Sequence, residues 1–260
     1  MIDKFPIVRV TEQGMSQDED IITTEFALTI ILNNQDLVTL LCSPADLKYL
    51  AIGFLASEGL VNSKDEIKKI VVDDQTGVIR VDTEEDKGLE SQLLSRRLIT
   101  SGGGRGASFY STADVRNQTR VESQITISAP QVFALVNQFQ HHSQVYKATG
   151  GVHSAALCDT KNILAFSEDI GRHNAIDKIF GECILTDLPT EDRLIITSGR
   201  ISSEILLKVA RRNIPILISK SAPTNLGLKL AADLGITLIG FARGKRMNVY
   251  TDSWRVMAKG

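Results

Sequence analysis

The densest group of reactive side chains in the 260-residue chain lies between Lys147 and Ile184, in KATGGVHSAALCDTKNILAFSEDIGRHNAIDKIFGECI. The stretch holds His153, His173, Cys158, Cys183 and the adjacent acids Glu168 and Asp169. Asp177 follows His173 at helical spacing, where a carboxylate orients an imidazole or raises its pKa, a setting for general acid–base work. His153, inside an apolar run, reads equally as a core or edge histidine. Glu168 and Asp169 would face opposite sides of a strand and make a poor glycosidase pair. Hydrolytic and zinc chemistry find no pattern. A Gly-x-Ser-x-Gly elbow, the zinc deaminase signature and a Cys-x-x-Cys pair are all absent, and His141-His142 has no carboxylate or cysteine at ligand spacing.

Anion binding is better supported. Glu168–Asn174, Ser198–Ser203 and Lys220–Thr224 each stand where a strand run gives way to a helix run. The last two set hydroxyls and backbone N–H groups at a helix start beside Arg200 or Lys220, which suits a phosphate. Ser-rich turns are also ordinary helix caps, so each turn alone supports either role. Phe241, Ala242, Arg243, Gly244, Lys245 and Arg246 form a basic turn after a strand ending at Gly240, on the same sheet edge. Beside the two cradles, these cations point to a nucleotide site.

The elements that must position these residues follow from the apolar pattern. Residues 1–20 are polar and read as a short strand and a loose loop; Ile21–Leu32 and Asp36–Cys42 read as strands joined at Asn33-Asn34. Ser43 and Pro44 mark a helix start, with Leu47, Leu50, Ala51, Phe54 and Leu55 on one face. A hairpin over Ile67–Val72 and Val78–Val81 completes a smaller α+β lobe, assigned to residues 1–98 and 107–127. Residues 83–98 read as a solvated helix. The glycine-rich stretch 99–106 reads as a linker or as a loop that brings backbone and Arg105 to a ligand. From residue 128 the pattern turns α/β. An amphipathic helix opens at Ser128–Pro130, and strands at Val152–Leu157 and Asn162–Phe166 precede a helix over Ile170–Ile184. Strands at Arg193–Thr197, Ile214–Ser219 and Ile236–Gly240 then alternate with helices at Glu204–Arg212 and Asn225–Leu234, with a last short strand at Met247–Tyr250. That alternation predicts parallel strands with ligands at their carboxyl ends. Ser198, Gly199, Arg200, Ser202, Lys220, Ser221 and Thr224 would meet there with Arg172, His173, Gly151, Glu168 and Asn174.

The totals bound the rest. Apolar content of 43%, charged content of 23% and a net charge of −2 fit a globular protein with no bulk attraction to nucleic acid or an anionic membrane. No apolar run reaches membrane-spanning length and MIDKFPIVRVTEQG lacks a secretory core, so a cytoplasmic location is expected. Three scattered cysteines, Cys42, Cys158 and Cys183, agree with a reducing compartment and read as buried structural thiols.

Together TGGVHSAAL (149–157), EDIGRHNAIDK (168–178), SGRISSE (198–204), SKSAPT (219–224) and GFARGKRMNVYT (240–251), with FLASEGL (54–60) and TSGGGRG (100–106), resemble the FdhD/NarQ family. The resemblance spans most of the chain in order. It implies a formate dehydrogenase accessory protein, dimeric, that takes sulfur from a cysteine desulfurase and passes it to bis-molybdopterin guanine dinucleotide. It implies a larger lobe resembling the cytidine deaminase mixed sheet, with helices on both faces and no zinc. It also implies that Phe241–Arg246 match a cofactor-binding motif. One departure stands out. The family carries a persulfide cysteine in the glycine-rich loop, and Gly103 occupies that position here. A cofactor-holding chaperone without sulfur chemistry is therefore the alternative.

Overall fold

The computed structural model describes residues 1–84 and 119–258, with the backbone of 98–99 and 107–108. Most of the solvated helix expected over 83–98, and most of the glycine-rich stretch including Gly103 and Arg105, lie outside the described residues.

The chain opens with a long antiparallel hairpin, β1 (Ile2–Thr11) and β2 (Gly14–Thr23). This corrects the short strand and loop expected of residues 1–20. Backbone pairing carries the polar run Ser16–Asp20 along β1, and pairing leaves no apolar period to read. Accordingly the apolar run 21–32 is split, and β3 begins only at Phe26 (Phe26–Leu32). Asn33 and Asn34 both take positive φ, 48° and 63°, and return the chain into β4 (Gln35–Cys42), the tight turn their types favour.

Helix α1 (Leu47–Ser57) starts after Asp46, and Ser43 does not cap it as expected. The Ser43 hydroxyl instead accepts the Ile170 N–H, 127 residues away. Next come β5 (Ile67–Asp73) and β6 (Val78–Thr83), giving a four-stranded sheet of order β4-β3-β6-β5 whose inner face packs on α1. The short strands β7 (Leu98–Ile99) and β8 (Ala107–Ser108) pair antiparallel.

After β9 (Ile127–Ser128), the Ser128 hydroxyl accepts from Gln131 N, and the Gln131 side chain takes the Ser128 N–H. This reciprocal cap starts α2 (Ala129–His142), with Pro130 in its first turn. The short α3 (Gln144–Thr149) ends at Gly150. Then follow β10 (His153–Cys158), β11 (Ile163–Asp169), α4 (Arg172–Thr186), β12 (Leu194–Thr197), α5 (Ser203–Arg211), β13 (Ile216–Ser219), α6 (Asn225–Asp233), β14 (Thr237–Arg243), β15 (Arg246–Val249) and β16 (Val256–Met257). These build a six-stranded mixed sheet of order β11-β10-β12-β13-β14-β15, parallel through β12-β13-β14 and antiparallel at both edges, while β16 pairs with β9.

Both faces of this sheet are covered, so its strands are continuous apolar runs. Leu157, Ile195, Leu217 and Leu238 face α4, α5 and α6, and their neighbours Cys158, Ile196, Ile218 and Ile239 face α2. The two sheets are joined where α1 crosses α4. A Cβ on Gly53 would overlap the Asp177 carbonyl oxygen, and one on Gly181 would overlap that of Tyr49, so both helix backbones touch at glycine. The chain is a mixed α/β fold, and no helix among the described residues is long and apolar enough to cross a membrane.

Candidate functional site

The junction between β11 and α4 is fixed from below. Asp169, fully buried, accepts from the N–H of Ser43 (3.0 Å) and Gly171 (2.8 Å) and from Asn174 Nδ2 (2.9 Å), and pairs with Lys178 Nζ at 2.8 Å. Every carboxylate oxygen is thereby engaged, which is the condition for burying such a charge. Glu168 points the other way and caps α3, accepting from the N–H of Val145 (3.0 Å) and Tyr146 (3.1 Å). Its expected place as a wall of the site is thus a structural one, one layer back.

Beyond these supports a cleft of about 690 Å³ opens at the carboxyl ends of the parallel strands. Ser198 follows β12, Lys220 follows β13 and Arg243 ends β14. His153, starting the antiparallel β10, reaches the same edge, and Gly151 and Ile170 complete that wall. Arg243 donates from Nε to the Lys220 carbonyl at 2.8 Å, so the two cations share one rim. Burial, and then the Arg243 charge, push the Lys220 ammonium below its ordinary pKa. Ser198 Oγ accepts from Ser154 N at 3.0 Å and lies 3.3 Å from His153 Nδ1. Burial, with Arg172 next, holds His153 below the usual imidazole pKa, which favours a neutral ring facing the cleft.

The two turns behind the rim form one platform. Ile201 N donates to Ala222 O and Thr224 N donates to Ile201 O, while Ser219 Oγ donates to Gly199 O at 2.6 Å. Thr224 Oγ1 accepts from Gly227 N, the capping role that its sequence position also allowed. The Ser221 carbonyl takes the Phe241 N–H. Arg172 sits half-buried in the first turn of α4 against Gly199, and Arg200 is exposed beside it.

Two expectations need correction. Residues 241–246 are not a turn after a strand ending at Gly240. β14 continues through Phe241 (φ 52°) with a bulge to Arg243, and only Gly244 and Lys245 form the turn before β15. Of this set Arg243 alone lines the cleft; Ala242 is buried behind the sheet, and Gly244, Lys245 and Arg246 are exposed at the hairpin end. Nor does Asp177 serve His173. The Asp177 carboxylate is taken by Ser57 Oγ and Lys208 Nζ, and His173 Nε2 faces Glu204 Oε2 at 3.4 Å. Burial, with Lys208 and Arg172 adding, drives the His173 pKa down to about 2 rather than up.

Sequence reasoning missed the wall opposite His153, formed by Phe139, Gln140, Ser143, Tyr146 and Lys147 from the end of α2 and from α3. The breaker Gly150, at positive φ, was the one available signal, since α3 is capped from Glu168 more than twenty residues on. His141 and His142 bond their own helix carbonyls through Nδ1, at 2.8 and 2.9 Å. All three cysteines are buried, and burial pushes each thiol up to about 12.

Comparison with known proteins adds to this geometry. The model of the FdhD/NarQ family matches residues 23–257. The protein named "Sulfur carrier protein FdhD" from Bacillus subtilis (strain 168) is 46% identical over 260 residues, covering 98% of this chain and 99% of its own. That of the same name from Staphylococcus aureus (strain MRSA252) is 40% identical over 252 residues, covering 97% and 95%. Among solved structures, "a putative formate dehydrogenase accessory protein from Desulfotalea psychrophila" superposes with a TM-score of 0.81 at 25% identity, covering 98% of this chain and 99% of its own.

Proposed function

The chain belongs to the FdhD/NarQ family, and from that premise we propose that it serves formate dehydrogenase maturation by holding bis-molybdopterin guanine dinucleotide at the cleft described above. The observation that carries this reading is the convergence of Lys220, Arg243, His153 and Ser198 on one 690 Å³ cleft at the sheet's carboxyl edge. The fit is chemical as well as spatial. The cofactor's pyrophosphates are anionic, and the rim supplies two cations, Arg243 anchored on the Lys220 carbonyl and Lys220 beside it, in a chain whose net charge is −2. A cleft of this volume suits one nucleotide-sized ligand. The cofactor carries two, which favours a homodimer in which each copy holds one half. Lys220 and Arg243 would meet the phosphates, with Gly151, His153 and Ser198 forming the surrounding edge. When bound, the molybdenum centre supplies the position that receives sulfur.

Sulfur transfer from a cysteine desulfurase is the second reading, favoured by the name that the close relatives carry. On this chain it meets an obstacle. Glycine at 103 offers no atom for a persulfide, and the three thiols present are buried with pKa values near 12, unlike the exposed, ionised thiols that accept sulfur. The geometry therefore favours the cofactor-holding role, exercised in the cytoplasm beside the dehydrogenase.

One experiment separates the two readings. The chain is incubated with a cysteine desulfurase and cysteine, and persulfides are trapped by alkylation. The cofactor-holding reading expects no sulfur on Cys42, Cys158 or Cys183, with acceptance restored by Gly103→Cys. A persulfide on any of the three native cysteines would establish transfer instead.

A further inference from the structure

The first turns of α4 and α5 lie side by side next to the cleft. A Cβ on Gly199 would stand 2.8 Å from Arg172 Cβ, so glycine lets the loop after β12 close on the start of α4. That brings Arg172 near Arg200, whose charge, after burial, lowers the Arg172 pKa. Neither helix start is capped by a side chain: Gly171 has none, and Ser202 makes no cap bond. Ser202 nevertheless takes φ −93° and ψ 169°, the extended backbone usual for an N-cap residue. The residue is 5% exposed and its Oγ has no hydrogen-bond partner.

A buried hydroxyl without a partner calls for a physical explanation. Here it stands at an uncapped nine-residue helix, where orphan N–H groups and the helix dipole attract negative charge. Glu204, also in the first turn of α5, turns toward His173 at 3.4 Å and leaves the Ser202 hydroxyl unengaged. None of Arg172, Arg200 and Ser202 lines the cleft.

We propose that Ser202, Arg200, Arg172 and the first-turn N–H groups of α5 form a second oxyanion subsite, separate from the cleft, that takes a tetrahedral phosphate group. Both free phosphate and a nucleotide phosphate have this chemistry. The subsite stands on its own geometry and not on the cofactor reading.

Inorganic phosphate, and separately GDP, are titrated calorimetrically into the full chain. Phosphate binds the parent protein. Ser202→Ala and Arg200→Gln each weaken it about ten-fold, the scale of one hydrogen bond to a charged group. Arg243→Ala, at the cleft, retains phosphate binding. If GDP is weakened in parallel by Ser202→Ala and displaces phosphate, the occupant is a nucleotide phosphate; if GDP ignores Ser202→Ala, it is free phosphate. Phosphate that does not bind, or that is weakened by Arg243→Ala alone, overturns the subsite. Arg200 is exposed, so Arg200→Gln tests the proposal even where Ser202→Ala perturbs folding. Loss of GDP binding in Arg243→Ala with phosphate retained bears on the cleft only, which keeps the two ideas distinguishable.

Discussion

Replacing Gly53 by alanine puts a methyl group where α1 and α4 already touch backbone to backbone. The new Cβ would overlap the Asp177 carbonyl oxygen and stand 2.8 Å from the Gly181 nitrogen. Contact near roughly 3.5 Å is restored only if the helices part by more than about 1 Å. Overpacking against side chains typically costs about 1–3 kcal/mol because rotamers yield. Here backbone stands on the far side, so about 3–5 kcal/mol is expected, equivalent to a fall in Tm of roughly 10 °C in a chain this size. The damage should also reach the site, since α4 begins with Arg172 and its second turn holds Asp177 and Lys178. Urea denaturation measures the first effect, with Gly150→Ala as control: that position has open space and only its positive φ to lose, about 1–2 kcal/mol. A Gly53→Ala loss below about 1 kcal/mol would refute the crossing on which the arrangement of the two sheets depends.

Other consequences follow from the buried polar groups. Lys208→Met leaves the Asp177 carboxyl buried with Ser57 as its remaining donor; the loss should be about 3–5 kcal/mol by urea denaturation, largely recovered on adding Asp177→Leu. His173, held at a pKa of about 2 by burial and neighbouring cations, stays neutral in the fold while the unfolded chain protonates near 6.5. Stability contributed by its neutral form is complete above that pH and is lost as pH falls, by up to about 2 kcal/mol between pH 6.5 and 5. Unfolding measured across that range should show the slope, and His173→Gln should flatten it. Native protein at pH 7.5 should take up no iodoacetamide, whereas the urea-unfolded chain should take up three equivalents, as mass spectrometry would read.

Much of the larger lobe was legible because its signals are local. Pro130 after Ser128, Thr224 before Asn225 and the paired asparagines at 33–34 each specify a cap or turn within a few residues. The buried parallel strands announce themselves as LIIT and ILIS, and Ser198, Lys220 and Arg243 line one cleft at their carboxyl ends. What could not be read depends on distant partners. Ser43 looks like a helix cap but serves Ile170, and Glu168 looks like a site acid but caps α3. Spacing pairs His173 with Asp177, yet Lys208 from another helix takes that carboxylate. The bulge at Phe241 moved Lys245 and Arg246 away from the rim, and nothing in the run FARGKR marks where the strand ends.

If this cleft holds the guanine nucleotide end of the cofactor, a crystal structure of the chain with GDP will show one nucleotide per chain in the cleft, its phosphates on Lys220 and Arg243 and its density absent in Arg243→Ala. A nucleotide seated elsewhere, with Lys220 and Arg243 untouched, would contradict it.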